Sequence, residues 1–339
     1  MAAEIAEQPA VWSRLLGDGR DQFRDAAGII NRRSPRFVLL AARGTSDHAA
    51  LYAKYVVEIL HGLPAGLVSA STMTAYGARP DLRDVLLIGI SQSGGSPDLV
   101  TTMEVARAQG ALTVAVTNNP ASPLAQAADL HLDVLAGPEI AVAATKSYTA
   151  QLLALALLFE RVRDGPTGDT AALPELGAQM LAAGERLASV ADRYRFAQRL
   201  VATGRGYSYP TAREAALKLM ETSYLSAQAF SGADLLHGPL AMIDPQVPVL
   251  AVMSGGTGGD AMRQVVPRLR EVRADVFCVG SAEHVAEFQD GVALPDGVRE
   301  DLSPLLEILP FQHLARHLAL ARGENPDAPR GLSKVTETL

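Results

Sequence analysis

Three charged residues stand out by their spacing. Glu214, Lys218 and Glu221 recur at i, i+4 and i+7 within residues 211–223, which sets all three on one face of a helix. Glu and Lys four apart are the ordinary parts of a surface ion-pair ladder. The neighbours here are Ala215, Ala216, Leu217, Leu219 and Met220, and a carboxylate beside an ammonium in a partly apolar setting can shuttle a proton. Both readings stay open. A second stretch, Ser91-Gln92-Ser93-Gly94-Gly95-Ser96, offers hydroxyl and amide donors and no charge before Asp98. An apolar run precedes it, and Pro97 after it suits the first position of a helix. A strand, a Ser/Gly loop and a helix start point backbone N–H groups at an anion. The stretch reads either as a phosphate loop that works by hydrogen bonds or as a polar turn with no ligand.

Two further groups could take part. His237 lies in Leu235-Leu236-His237-Gly238-Pro239, a setting for an imidazole fixed on a loop. The other six histidines, His48, His61, His131, His284, His313 and His317, read as structural or solvated. Lys334 lies in a Pro-rich polar tail of a kind that is normally disordered; a tail that folds over a site can deliver an amine. Of the 30 Lys and Arg residues only Lys54, Lys146, Lys218 and Lys334 are lysines, so each is a candidate for a place that needs a deprotonatable amine. No His/Cys/Asp spacing suits a metal, and neither a Gly-x-Ser-x-Gly elbow nor a Walker loop is present. No cofactor is expected.

The elements that must hold these groups follow from the apolar pattern. Residues 37–42, 67–70, 85–90, 112–116 and 130–135 read as strands. Helices are expected over 4–31, broken near Pro9, and over 49–60, 97–109, 148–162 and 176–198. Residues 163–174, rich in Gly, Asp, Thr and Pro, read as a linker. Strands that alternate with helices argue for a parallel, three-layer α/β sheet. The second half repeats the first: Arg205-Gly206-Tyr207-Ser208 answers Arg43-Gly44-Thr45-Ser46, and 249–254 answers the strand ending at Ser91. Residues 276–280 answer 114–118 in the same order, so the chain reads as two copies of one domain. The second copy of the loop, 254–259, keeps glycine but loses Gln92 and two serines, which leaves one phosphate loop. The expected layout is a helical segment 1–35, a first domain 36–165, a linker and helix 166–198, a second domain 199–324 and a tail 325–339 that contributes to the active site.

Composition narrows the partners. The formal net charge of −7 argues against nucleic acid. No apolar run reaches the roughly 18 residues of a membrane span, and no signal pattern opens the chain; a cytoplasmic location with no membrane partner is expected. The single cysteine, Cys278, reads as a buried strand residue.

Taken in order, Glu7-Gln8-Pro9, Gly44-Thr45-Ser46, Ser91-Gln92-Ser93-Gly94, Glu139-Ile140-Ala141-Val142-Ala143, the helix from Glu214 to Tyr224, His237-Gly238-Pro239-Leu240 and Pro329-Arg330 through Lys334-Val335-Thr336 resemble the tandem sugar-isomerase (SIS) family. The likeness is to the isomerase half of glutamine–fructose-6-phosphate transaminases and to stand-alone SIS-type glucosamine-6-phosphate deaminases. It implies two tandem αβα domains, each with a parallel flavodoxin-like sheet, and a sugar phosphate substrate. It also implies that Gly44, Thr45, Ser46, Ser91, Gln92, Ser93 and Ser96 hold the phosphate, and that Glu139, Val142 and Ala143 belong to the segment lining the sugar. Glu221 would then move the proton between C1 and C2 with Lys218 beside it, and Lys334 would meet the open-chain carbonyl. His237 would open the ring, reaching the site from the other subunit of a homodimer.

Departures from the resemblance shape the expected activity. The glutaminase half is missing and residue 2 is Ala2, so ammonia from glutamine is not expected. Gly95 and Ala144 stand where the transaminases usually carry a Glu and a Ser. The expected activity is an amino-sugar phosphate isomerase and deaminase that interconverts glucosamine 6-phosphate and fructose 6-phosphate with release of ammonia. A deglycase for a bulkier sugar–amine 6-phosphate and a non-catalytic sugar-phosphate sensor are the alternatives.

Overall fold

The computed structural model describes residues 1–162 and 168–334. Residues 163–167 of the expected linker lie outside that set. The chain divides into two compact units that interleave along the sequence: one takes 1–9, 140–145 and 172–332, the other 10–139, 146–171 and the residues from Ser333 on.

In the second of these units five strands form one sheet, β1 (Phe37–Ala41), β2 (Ala65–Leu67), β3 (Val85–Ser91), β4 (Leu112–Thr117) and β5 (Leu130–Asp133). The order is β2-β1-β3-β4-β5, and every pairing is parallel, with Ala41 opposite Gly89 and Ser91 opposite Thr117. β3 and β4 are apolar runs because helices cover both faces of a parallel sheet. The core joins Ala41, Leu87, Leu99, Met103, Ala115 and Leu124; burying each large side chain stabilises by about 1.5–3 kcal/mol.

The other unit repeats the plan with β6 (Arg199–Gly204), β7 (Ser226–Ser231), β8 (Val249–Met253), β9 (Val276–Gly280) and β10 (Asp290–Ala293). Their order, β10-β9-β8-β6-β7, is the flavodoxin-like order 2-1-3-4-5 counted within the copy, as in the first sheet. Cys278 is fully buried in its core beside Val201, Val249, Ala251 and Leu269, and burial pushes its thiol up.

Three expected elements differ. The strand expected at 67–70 is Ala65–Leu67, and Ala70 already starts the helix Ala70–Thr74. Val68 N–H still donates to Leu40, but Ser69 C=O then accepts the Thr72 N–H and turns the chain. The helix expected over 4–31 is three, Ala2–Ala6, Gln8–Leu16 and Arg20–Arg33. Pro9 is tolerated in the first turn of the middle one, where its missing N–H would have no partner. The helix expected over 176–198 is Leu173–Ala182, a 3₁₀ turn Gly184–Arg186 and Leu187–Tyr194. The break falls where the His313 ring presses on Gly184: a Cβ there would stand 2.4 Å from the ring. Among the described residues no helix is long and apolar enough to cross a membrane.

His313 sits one turn from His317, the rings 6.2 Å apart, and neither of its ring nitrogens has a hydrogen-bond partner among the described residues. Burial, with the neighbouring His317 and Arg316, pulls His313 down to about 4. An unfolded histidine titrates near pH 6.5. Between those values the unfolded chain takes up a proton that the folded chain refuses, so this contribution to stability is complete above pH 6.5 and is lost as the pH falls toward 4. Thermal melts should show the midpoint dropping across that window, with a shallower drop in His313→Phe. An equal slope in a variant that is folded at pH 7 would place the acid sensitivity elsewhere.

Candidate active site

In the unit built on β1 to β5, the strand order reverses between β1 and β3, where ligands lie in such sheets. β1 runs into the helix Thr45–Val56 and β3 into the helix Pro97–Ala108, so two helix starts stand at the carboxyl ends of adjacent strands. Gly44 turns the chain with φ 55° and ψ −131°, a conformation closed to other residues. Gly94 has φ 65°, and a Cβ there would meet Ser122 Oγ at 2.2 Å. Ser91 Oγ accepts the Gly94 N–H at 3.1 Å and Ser93 Oγ accepts the Gly95 N–H at 3.3 Å. Each hydroxyl keeps its own hydrogen to donate. The Gln92 and Gly94 carbonyls accept from Asn118 and Leu124, which ties the acceptors of the loop into the fold. Ser46 and Ser91 are buried; Thr45, Gln92, Ser93 and Ser96 are half-buried. Asp98, which follows the loop, is buried and paired with Arg43 at 2.7 Å.

Glu139 belongs to the same unit. Its carboxylate accepts the Ser147 N–H at 3.2 Å, the Ser147 hydroxyl at 2.6 Å and the Lys334 ammonium at 3.3 Å. The tail is therefore ordered to Lys334, against the disorder usual for its composition. Val335 and Thr336 lie outside the described residues.

In the unit built on β6 to β10, the helix Ser208–Ser223 carries the charged triad. Lys218 Nζ lies 2.5 Å from Glu221 and 3.4 Å from Glu214. Lys218 and Glu214 are fully buried and only Glu221 reaches the surface, 22% exposed. The surface-ladder reading is thereby excluded. Burial alone would lower the Lys218 pKa; Glu214 and then Glu221 outweigh it and hold the ammonium above the usual lysine range. Val142 and Ala143 fall in this unit too, in a segment whose Ile140 and Ala141 N–H groups donate to the buried Glu4 carboxylate. Burial would raise that carboxyl; the two amide donors and the chain's terminal amine hold it low. His237 follows the short helix Gly232–Leu236, with its backbone fixed by a bond to Asp234 C=O. Its imidazole is exposed, with no side-chain partner among the described residues.

One residue of these surroundings was not singled out from the sequence. Glu307 is fully buried and accepts from Ser208 Oγ at 2.7 Å, Thr211 Oγ1 at 2.9 Å and Ser303 Oγ at 2.9 Å, pinning the first turn of the triad's helix. Burial pushes its carboxyl up to about 7, against the pull of the three hydroxyls. Its one signal is that it stands as the lone acid in the apolar run 303–315. Arg330 stacks on the Tyr224 ring at 4.0 Å, and its N–H donates to the Tyr224 oxygen at 2.8 Å.

The second copy of the loop is closed. Glu300 accepts the Thr257 N–H at 3.1 Å and the Gly258 N–H at 2.6 Å. Ser254, the counterpart of Ser91, lies 3.2 Å from the Ser208 hydroxyl, hydroxyl to hydroxyl, and is fully buried. An internal carboxylate thus occupies these backbone donors. Among the described residues no group of three or more His, Cys, Asp or Glu could hold a metal ion.

Two parallel five-strand sheets of one topology, one with an open Ser/Gly loop and one with its loop filled from within, define a duplicated flavodoxin-like α/β protein. The SIS domain profile matches residues 33–161 and again 194–321, and the chain belongs to the SIS-domain family. The glutamine–fructose-6-phosphate aminotransferase [isomerizing] of Thermococcus kodakarensis is 34% identical over 350 residues, 98% of this chain and 57% of that protein. The chain thus spans little more than half the length of the curated relatives it matches. A protein of Silicibacter pomeroyi, provisionally described as a phosphosugar isomerase, superposes with a TM-score of 0.88 at 33% identity, over 96% of this chain and 98% of that one. The C-terminal domain of the glucosamine-fructose-6-phosphate aminotransferase from Francisella tularensis gives a TM-score of 0.84 at 26% identity, over 96% and 97%.

The buried triad carries a stability prediction. Removing the cation in Lys218→Met leaves Glu214 buried without its partner and should cost about 3–5 kcal/mol. Adding Glu214→Gln should recover part of that loss. Chemical denaturation of the three proteins checks this; a single variant as stable as the parent would mean that Glu214 does not depend on Lys218.

Proposed function

We propose that the chain is an aldose–ketose isomerase of amino-sugar 6-phosphates, converting glucosamine 6-phosphate and water into fructose 6-phosphate and ammonia. The observation that carries this reading is the triad: a carboxylate at the surface, Glu221, backed 2.5 Å away by a fully buried ammonium. That is the arrangement of a fixed general base with little freedom to swing. The names of the aminotransferase relatives, which act on fructose 6-phosphate, support the sugar.

The steps follow from the groups present. The 91–96 loop and Thr45 and Ser46 hold the phosphate by neutral donors, and Gly44 lets the backbone approach. His237 passes a proton to the ring oxygen and opens the sugar. Its exposed position suits completion of a site in a second copy of the chain, so the working unit is a homodimer. Glu221 takes the proton from C2 and returns it to C1, which turns the aldehyde amine into a C2 imine. Water adds to that imine and ammonia leaves, so nitrogen, oxygen and protons balance. Lys334, an amine held by Glu139 at 3.3 Å, meets the open-chain carbonyl. Glu139 and the 142–143 backbone border the sugar.

Glu221→Gln keeps the shape and removes the base. Turnover of glucosamine 6-phosphate should fall by about 10²–10⁴-fold, and solvent deuterium exchange at C2 should fall with it. Ser91→Ala combined with Ser93→Ala should act mainly on KM, at about 1.5–3 kcal/mol for each hydrogen bond lost to a charged group. Exchange retained in Glu221→Gln would assign the base to another residue. A parent protein that binds sugar phosphates but releases no ammonia and exchanges no hydrogen would make it a sensor.

A further inference from the structure

We infer that Arg43 is a positioning residue for the phosphate: its guanidinium cancels the buried charge of Asp98 so that the 91–96 loop can accept an anion. The inference rests on the reading of that loop as a phosphate site. Asp98 lies in the first turn of the helix Pro97–Ala108, its side chain 1% exposed. Its Oδ1 accepts the Leu99 N–H at 2.8 Å. Its Oδ2 accepts no hydrogen bond among the described residues, and its one ionic neighbour is Arg43 Nη2 at 2.7 Å. Arg43 stands at the end of β1, beside Gly44, and its Nη1 donates to Ala42 C=O at 3.2 Å. The rest of the guanidinium is open to water, the side chain being 45% exposed.

The electrostatic difficulty is local. The first turn of a helix favours one anion, and a phosphate at the 91–96 loop would use that same helix start. Asp98 is already there. Asp47, in the first turn of the neighbouring helix Thr45–Val56, adds a second carboxylate. The loop itself is neutral, so without Arg43 a dianion would approach a helix start whose Asp98 carboxylate has lost its ion-pair partner. With Arg43 in place Asp98 is cancelled, and the serine and backbone donors act on the phosphate unopposed. A buried carboxylate with one oxygen lacking a hydrogen bond is the kind of group whose charge must be answered by a partner.

Charge deletion in both partners separates this from a structural role. Calorimetric binding of inorganic phosphate and of fructose 6-phosphate is measured for the parent, Arg43→Ala, Asp98→Asn and the double variant, with fructose as the uncharged control. Arg43→Ala should weaken both phosphates about tenfold or more, and turnover should show this in KM rather than kcat. Asp98→Asn keeps the oxygen that accepts the Leu99 N–H and should bind at least as tightly as the parent. The double variant should return to within about threefold of the parent, and Arg43→Lys should retain most of the affinity. Unchanged binding in Arg43→Ala overturns the inference. So does a double variant as weak as Arg43→Ala, because Arg43 would then act on the ligand by itself. If Arg43→Ala does not fold, the comparison of Asp98→Asn with the double variant decides: weaker binding in the double overturns the inference and equal binding supports it. A parent that binds neither phosphate defeats the phosphate-loop reading itself.

Discussion

Lys218 sets the terms for half of this molecule. An ammonium with no exposed surface costs several kcal/mol to bury unless carboxylates meet it, and Glu214 and Glu221 meet it from one turn before and one turn after. That requirement fixes the rotation of the helix Ser208–Ser223 about its axis. The rest of the unit then holds the helix in that rotation. Glu307 gathers Ser208 and Thr211 at its start. Near its end the Thr222 hydroxyl donates to Lys218 C=O at 2.7 Å, and Tyr224 leaves the helix in the left-handed conformation with φ 55°. The ring of Tyr224 in turn receives Arg330. One buried charge thus explains the placement of a helix, the character of its two ends and the course of the chain that follows.

The two sheets show how one architecture is spent in two ways. Each presents a strand, a small-residue loop and a helix start, and each loop gathers backbone donors. In the β6 to β10 copy Glu300 takes those donors and the serine hydroxyl turns inward toward Ser208. The domain keeps its sheet and core, and its loop becomes part of the framework. In the β1 to β5 copy the Gln92 and Gly94 carbonyls are tied down by Asn118 and Leu124, and no carboxylate accepts from the loop's backbone amides among the described hydrogen bonds. The copy without the open loop carries the buried Glu214–Lys218–Glu221 triad instead.

How much of this is legible in the sequence depends on the range of the forces. β3, β4, β8 and β9 are visible as apolar runs, because a strand covered on both faces must be apolar along its whole length. The repeat at nearly constant offset gives the duplication, and the Ser/Gly run before Pro97 gives the loop. The edge strand Ala65–Leu67 is short and pairs on one side only, so its composition hardly differs from its surroundings. The break at Gly184 depends on a ring from 129 residues later, as the pair Gly184 and His313 shows. Spacing placed Glu214, Lys218 and Glu221 on one face, but periodicity alone does not say that the face is buried. The pairs Arg43 with Asp98, Glu300 with the second loop, and Lys334 with Glu139 join residues far apart in the chain, and no local rule brings them together.

The interleaving of the two units bears on the order in which the chain can assemble. Neither unit is formed by one continuous stretch of chain. The first nine residues emerge from the ribosome long before the segment that receives them: Gln8 waits for Gln312, to which its side chain donates at 2.8 Å. The sheet of β1 to β5 can collapse early, yet the ion pair of Glu139 with Lys334 forms only once a residue 195 positions later has been made.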